Sequence, residues 1–441
     1  MSTETNLTVK QMIDTDYHSY AMYVLENRAI PSYIDGLKPT HRKLLYAMLN
    51  EHKGKKTKVV DCSSISKFNY HHGEASAAGA MVTLTAEWNN NVPLFLGHGN
   101  FGSRLIQEAA APRYIFASLN PEFNKYFSDF EVCDKNADQD NPEPQCYLPT
   151  IPWLLVNGIE GIAVGFSCRF LPHAPADLAK VCKLALSGKL KADHHIPVTF
   201  PGFKGEVIQE SPTKVVTRGI VDRIKRNTWE ISEAPWGFDR EQMFNVLSKL
   251  MEDGKINDFE DNCNEAGFNF IVKLDGAQDT KCALNPIGYF KLERSFSENY
   301  TTLDETGKLR LFDTKAEIIQ AFVDYRIKKV LQKINHDITL MESRLEWHNL
   351  RYEFVNDVVN GKIDMRDYDR PSLVTYCKDT YTHCTTDGDH YAKLPNLSIF
   401  DMTIEKVMQF KADIAETQAE LTRLKSLDPK AVYLKSLGDI K

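Results

Sequence analysis

The stretch TKAEIIQAFVDYRIKKVLQKINHDITLMESRLEWHNLRYEFVNDVVNG, residues 314–361, decides the architecture. Thr314 and Glu317 have capping-box spacing, in which a hydroxyl and a carboxylate satisfy free N–H groups at a helix start. Ile319, Val323, Ile327, Val330, Ile334, Ile338, Met341 and Leu345 then recur at steps of three and four, which places them on one helical face. Gly361 offers a stop. One helix of roughly 60–70 Å follows, at ~1.5 Å per residue.

A second helix is expected downstream. Val407, Phe410, Ile414, Thr417, Leu421 and Leu424 alternate steps of three and four, a heptad-like spacing that suits an antiparallel return against the first helix. Residues 313–441 therefore read as a long antiparallel coiled coil, with a compact globular insert at about 362–400. Apolar stripes of this kind pack within a chain more often than they bind partners. The insert is the better candidate for a dimer contact.

Upstream, residues 147–312 mix α and β signals. Phe268, Phe270, Val272 and Leu274 alternate as in a half-buried strand, Asp239 and Gln242 open a helix bearing Met243, Leu247 and Leu250, and Thr306-Gly307 turns a hairpin. This is an α+β domain. Between residues 10 and 130, short helical patterns alternate with glycine-containing turns, giving a domain over 21–146 after an N-terminal arm, 1–20. Acidic residues, Asn and Pro dominate 129–143, which is expected to be an exposed loop between domains without chemistry.

At 441 residues, with 42% hydrophobic and 26% charged side chains, the chain is a folded globular protein of two to four domains. Its net charge of −7 argues against a uniformly basic coat for nucleic acid. The distribution says more. Residues 28–67 carry nine basic residues, Arg28, Lys38, Arg42, Lys43, Lys53, Lys55, Lys56, Lys58 and Lys67, against three acidic ones. That local +6 points to a polyanion.

Nine scattered cysteines form neither a Cys-x-x-Cys pair nor a zinc-ligand cluster, as expected of a reducing interior. The most apolar stretch, 151–166, is too short and polar to cross a bilayer, and the N-terminus lacks a secretory layout. The expected location is the cytoplasm.

Chemistry concentrates around Tyr114, in Glu108-Ala-Ala-Ala-Pro-Arg-Tyr-Ile-Phe116. Attack on a phosphodiester needs a nucleophile and a fixed cation for the charge that develops, and Arg113-Tyr114 supplies both types. Among 18 tyrosines the pair alone singles out nothing. Tyr70-His71-His72-Gly73-Glu74 adds two imidazoles able to move protons near neutral pH or to serve structure. Gly97-His98-Gly99-Asn100-Phe101-Gly102-Ser103 matches no nucleotide fingerprint; close backbone approach or tight turns account for its glycines.

Taken in order, NRAIPSYIDGLKPTHRK (27–43), YHHGE (70–74), GNFGS (99–103), AAAPRY (109–114) and LLVNGIEGIAVGF (154–166) resemble the cleavage subunit of type IIA DNA topoisomerases, a family that includes the gyrase A subunit and the eukaryotic type II enzymes. The short chain and the wording of YHHGE and RYIFA most resemble the phage T4-type medium subunits within it. The resemblance implies a winged-helix-like DNA-cleavage domain over 21–146, an α+β tower over 147–312, and the coiled coil with a globular dimer gate. It implies that Tyr114 is the nucleophile, leaving a 5′-phosphotyrosyl bond and a free 3′-hydroxyl, and that Arg113 steadies the transition state. His72 would belong to the active-site wall, Arg28, Lys38, His41 and Arg42 would line the DNA, and Ile162 would wedge between base pairs.

These implications have physical sense. Phosphate binding by Arg28, Lys38 and Arg42 predicts a steep salt dependence, and an isoleucine among glycines can unstack a base step and bend the duplex. A tyrosine of pKa about 10 needs help to ionise, which Arg113, His72 and a metal ion together would provide. The chain carries neither a Walker-type loop nor an Asp-x-Asp set in a strand context, so ATP and Mg²⁺ are expected on a partner subunit, and no metal site is expected here. The expected partners are double-stranded DNA, a second copy of the chain and the subunit or subunits bearing the ATPase and metal-binding domains, with no membrane.

Some positions depart from the gyrase pattern. His98 stands where gyrase-like sequences have Gln, and Pro112 precedes the Arg-Tyr pair. Ala75 and Gly79 lack the hydroxyl and carboxylate with which bacterial gyrases meet quinolone-bound metal, so quinolone sensitivity of that kind is not expected. No DNA-wrapping domain follows the coiled coil, which favours relaxation or decatenation over negative supercoiling. The competing readings are a winged-helix DNA-bending protein that never cleaves and a coiled-coil scaffold in which Tyr114 and the histidines are structural.

Overall fold

In a computed structural model, which describes residues 9–136, 138–381 and 390–440, α-helices and antiparallel sheets alternate. The first eight residues of the expected arm, residues 382–389 of the insert and Cys384 lie outside the described residues. The chain forms two units: residues 9–326 joined by 436–440, and residues 327–435.

In the first unit, the strand Phe116–Leu119 lies between Thr57–Lys58 and Phe95–His98 in a three-stranded antiparallel sheet. The helices Pro39–Tyr46 and Glu74–Thr85 flank it in sequence, and bury Leu44 and Leu45 on one and Ala77 and Met81 on the other. A two-stranded hairpin pairs Ile159–Ile162 with Ser167–Phe170. A four-stranded sheet then runs in the order Asp258–Asp261, Phe270–Lys273, Thr228–Glu233, Ile220–Lys225.

The helix Arg240–Glu252 packs Met243, Leu247 and Leu250 into one core with Phe268, Phe270 and Val272. Its cap is reciprocal: Asp239 Oδ1 accepts the Gln242 N–H at 2.7 Å and Gln242 Oε1 accepts the Asp239 N–H at 3.2 Å. The Gly307 hairpin joins Thr301–Leu303 to Leu309–Leu311.

Residues 129–143 form the irregular, largely exposed segment expected from their composition, with buried anchors near its ends. Glu143 is buried, 2.7 Å from the Lys43 ammonium, which also donates to Phe68 O at 2.6 Å. Asp129 accepts from Arg326 at 2.6 Å. Buried charge persists where it is paired and hydrogen-bonded, so Asp129 and Glu143 anchor the two ends of the segment.

The helix Lys315–Val359 has 45 residues, and its predicted cap forms, with Thr314 Oγ1 accepting the Glu317 N–H at 3.2 Å. Beyond Arg326 its residues belong to the second unit. There the helix Ile404–Lys425 buries Phe410, Thr417, Leu421 and Leu424. Glu342 pairs with Lys425 at 2.7 Å and Arg351 with Asp413 at 2.9 Å, so the two helices run in opposite directions. Leu350, Phe354, Leu373, Cys377 and Phe410 share a core beside them. Ile399, Phe400, Ile404 and Met408 are exposed, Phe400 by 80%.

Among the described residues the eight cysteines are free thiols, and no helix is long and apolar enough to cross a membrane.

Candidate functional site

Tyr114 closes a turn in which its N–H donates to Ala111 O at 2.9 Å, with Pro112 in the second position, where its fixed φ is favoured. Both sides of the turn are tied down. Pro112 O accepts the Val60 N–H at 3.3 Å and Ile115 O the Val59 N–H at 3.0 Å, after which Ile115 is buried and the central strand begins. The phenol itself is 67% exposed. The Arg113 guanidinium lies 4.8 Å from the centre of its ring, a cation–π contact that keeps the cation beside the hydroxyl's carrier.

The glycine loop packs under this turn. Gly99 has φ +117°, and a Cβ there would lie 2.9 Å from Ile115 Cγ2; one at Gly97 would press on the Phe101 ring. Close approach therefore accounts for these glycines. His98 Nε2 and Ser118 Oγ are 3.1 Å apart across the two strands.

A second group of expected residues meets at the 159–170 hairpin. Lys38 Nζ donates to Glu160 O at 2.8 Å, and Gly161 lies so close to the Ala29 carbonyl, next to exposed Arg28, that any Cβ would collide with it. Past this contact Ile162 stands 77% exposed, with Phe166 beside it across the tight turn closed by Ala163 and Phe166. Arg28, Lys38 and Ile162 thus lie on adjoining elements: two cations around an apolar tip.

Arg42 lies beneath that surface, and its neighbour His41 is half-buried. Arg42 is buried, its guanidinium forked onto Asp35 at 2.7 and 2.8 Å and donating to Leu37 O at 2.8 Å. His41 Nδ1 faces the Lys38 N–H at 3.5 Å, and burial with Lys38 and Arg42 nearby pushes its pKa down to about 3, leaving a neutral ring. Lys38 is lowered by its own burial. His72 stacks edge-on against Tyr70 at 5.3 Å and lines a cleft of about 580 Å³ with Arg42 and Lys43. Tyr114 is not among the residues lining that cleft.

The +6 segment therefore divides. Arg42 and Lys43 are neutralised internally, and Lys67 pairs with Glu51 at 2.5 Å. Lys53, Lys55, Lys56 and Lys58 are exposed around the edge strand next to the tyrosine's strand, and Lys56 lies over the Phe116 ring at 5.1 Å. Sequence reasoning does not single out these lysines, or Phe166, as site residues. The period-two spacing of Lys56, just before the strand, and Lys58, on it, is the available signal. Among the described residues no cluster of three or more His, Cys, Asp or Glu side chains could hold a metal ion.

The chain belongs to the DNA gyrase/topoisomerase IV A-subunit family, whose model matches residues 28–438. It is 34% identical to the DNA topoisomerase medium subunit of Enterobacteria phage T4, over 99% of each chain. It is 28% identical to the mitochondrial DNA topoisomerase 2 of Dictyostelium discoideum, over 94% of this chain and 33% of that protein. The fold matches a crystal structure of the Plasmodium falciparum topoisomerase II DNA-binding, cleavage and re-ligation domain with a TM-score of 0.86 at 24% identity, covering 98% of this chain and 64% of that one. The chain thus spans the T4 relative's whole length and about a third of the Dictyostelium protein's.

Proposed function

We propose that this chain is the DNA-cleaving and rejoining subunit of a type II DNA topoisomerase, with Tyr114 as its nucleophile. The observation that carries the reading is the geometry of Tyr114: an exposed phenol on a turn pinned to a sheet, with a guanidinium over its ring. In this reading Tyr114 Oη attacks a backbone phosphorus, the phenolic proton leaves to solvent or a base, the bond to the 3′-oxygen breaks, and that oxygen takes up a proton from solvent or an acid. A 5′-phosphotyrosyl ester and a 3′-hydroxyl result. Because one phosphoester replaces another, the reverse attack reseals the strand without nucleotide hydrolysis. Arg113, swung from the ring to the phosphate, balances the developing charge.

Arg28 and Lys38 meet the DNA backbone on either side of Ile162, which wedges a base step and bends the duplex. Lys53, Lys55, Lys56 and Lys58 extend the positive surface alongside Tyr114. His41 and Arg42 hold that wall from beneath, and His72 belongs to its continuation in the neighbouring cleft. The domains are a winged-helix-like cleavage domain over 21–146, an α+β tower over 147–312, and a coiled coil with its gate insert over 313–441. Ile399, Phe400, Ile404 and Met408 form an apolar patch that fits a second copy, and a double-strand break requires two Tyr114 side chains.

Type II topoisomerases generally use Mg²⁺ and ATP. The described residues offer no cluster for the metal, so we assign metal and nucleotide to partner subunits and route no step through either. A bacterial cytoplasm is the expected workplace. Family membership weighs against the non-cleaving DNA-bending and scaffold readings.

The test mixes this chain with its partner subunits, Mg²⁺ and end-labelled duplex, then denatures rapidly. Wild type should yield a protein–DNA adduct and Tyr114→Phe none. An adduct that persists in Tyr114→Phe removes this tyrosine from the mechanism.

A further inference from the structure

Just upstream of the tyrosine turn, two residues of the same loop are gripped by another part of the first unit. The Arg104 guanidinium sits among Phe203, Trp236 and Phe268, 5.2, 4.9 and 5.4 Å from their ring centres. It pairs with the Glu233 carboxylate at 2.9 Å and donates to Ala234 O at 3.4 Å. Glu233 is buried and also accepts the backbone N–H groups of Lys204 at 3.2 Å and Ala234 at 3.1 Å. Next to it, Leu105 packs against the Met243 and Phe270 core, and its carbonyl accepts the Arg240 N–H at 3.0 Å.

This is an elaborate fixture for a loop. A guanidinium–carboxylate pair taken out of water adds little net stability over apolar residues of the same size. What it adds is direction: a planar cation held between ring faces and a carboxylate has one orientation, which a flexible ammonium would not reproduce. Between this grip and the tyrosine, the loop is braced by Ser103 N–H to Ile106 O at 2.7 Å and Ala110 N–H to Asn100 O at 3.0 Å. Tyr114 is therefore suspended between two supports, the three-stranded sheet that follows it and the Arg104 cage that precedes it.

We propose that Arg104 is a positioning residue for strand cleavage, holding the loop so that Tyr114 and Arg113 stand where the scissile phosphate must arrive, and tying their position to the region around residues 203–292. The inference rests on Tyr114 being the nucleophile. Arg104 acts without touching DNA, since its side chain is only 13% exposed. In-line attack tolerates little displacement, and about 1 Å of misplacement costs on the order of 100-fold in rate.

The experiment uses the complete enzyme with Mg²⁺ and end-labelled duplex, comparing wild type with Arg104→Ala and with Arg104→Lys, which keeps a charge for Glu233 and loses the planar stack. At saturating DNA, adduct formation should slow by about 10-fold or more in Arg104→Ala and by a smaller factor in Arg104→Lys, with DNA affinity within about twofold of wild type. Wild-type cleavage rates in both variants overturn the proposal, as does a loss of cleavage matched by an equal loss of DNA affinity or of folded protein in Arg104→Lys. If Arg104→Ala does not fold, Arg104→Lys decides. Tyr114→Phe runs in parallel: an adduct that survives it brings down the nucleophile assignment, whereas an adduct that vanishes there while the Arg104 variants cleave normally removes only the role of Arg104.

Discussion

At the scale of single residues, buried groups govern the response to acid. His173 is fully buried, with Nδ1 2.8 Å from Pro197 O; burial, with Lys315 nearby, pushes its pKa down to about 3. An unfolded histidine titrates near 6.5. The unfolded chain therefore binds the extra proton first, so the stabilisation is complete above about pH 6.5 and is lost as pH falls toward 3. His41 acts in the same window. The urea midpoint should drop between pH 7 and 4, and His173→Gln should remove about one proton from that dependence; an unchanged slope would refute the assignment. None of this is legible in sequence, because a histidine's burial depends on neighbours such as Lys315 that are far along the chain. The same holds for Arg42 and Lys43. As residue types they belong to a basic run; as side chains they are satisfied by Asp35 and Glu143.

Elements are easier to read than residues where periodicity is dense. The cap at Thr314, the 45-residue helix and the Asp239 capping box each follow from local spacing, which a helix reports directly. Segment 129–143 is a loop, as its composition indicates, but the ion pair that buries Glu143 is not legible there, because its partner lies a hundred residues upstream. The 159–170 hairpin shows how a small residue can set the surface proposed to meet DNA. A methyl group at position 161 would strike the Ala29 carbonyl, so Gly161→Ala should push the hairpin away from Arg28 and Lys38. The expected outcome is a stability loss of about 1–3 kcal/mol in denaturant melts, with weaker duplex binding by fluorescence anisotropy. Unaltered binding would separate the hairpin from the DNA surface.

For the molecule as a whole, the exposed apolar patch at Ile399, Phe400, Ile404 and Met408 makes self-association testable. Exposed apolar side chains close together in the chain are candidates for an interaction site. Phe400→Glu with Met408→Glu should shift the sedimentation of the chain toward monomer while leaving its helix content intact; an unshifted profile would place the dimer contact elsewhere.

The return of residues 436–440 to the first unit has a further consequence, one that concerns biosynthesis. Leu437 and Ile440 are buried there although more than a hundred residues of the second unit intervene. Removing residues 436–441 should lower the first unit's stability by several kcal/mol, at about 1.5–3 kcal/mol for each large apolar side chain stripped of its burial, as read by urea unfolding. A ribosome making this chain will have released Tyr114 and its loop long before it supplies the segment that finishes their unit. The proposed nucleophile is thus synthesised early and seated late, so that premature termination yields a fragment whose tyrosine lacks a completed platform.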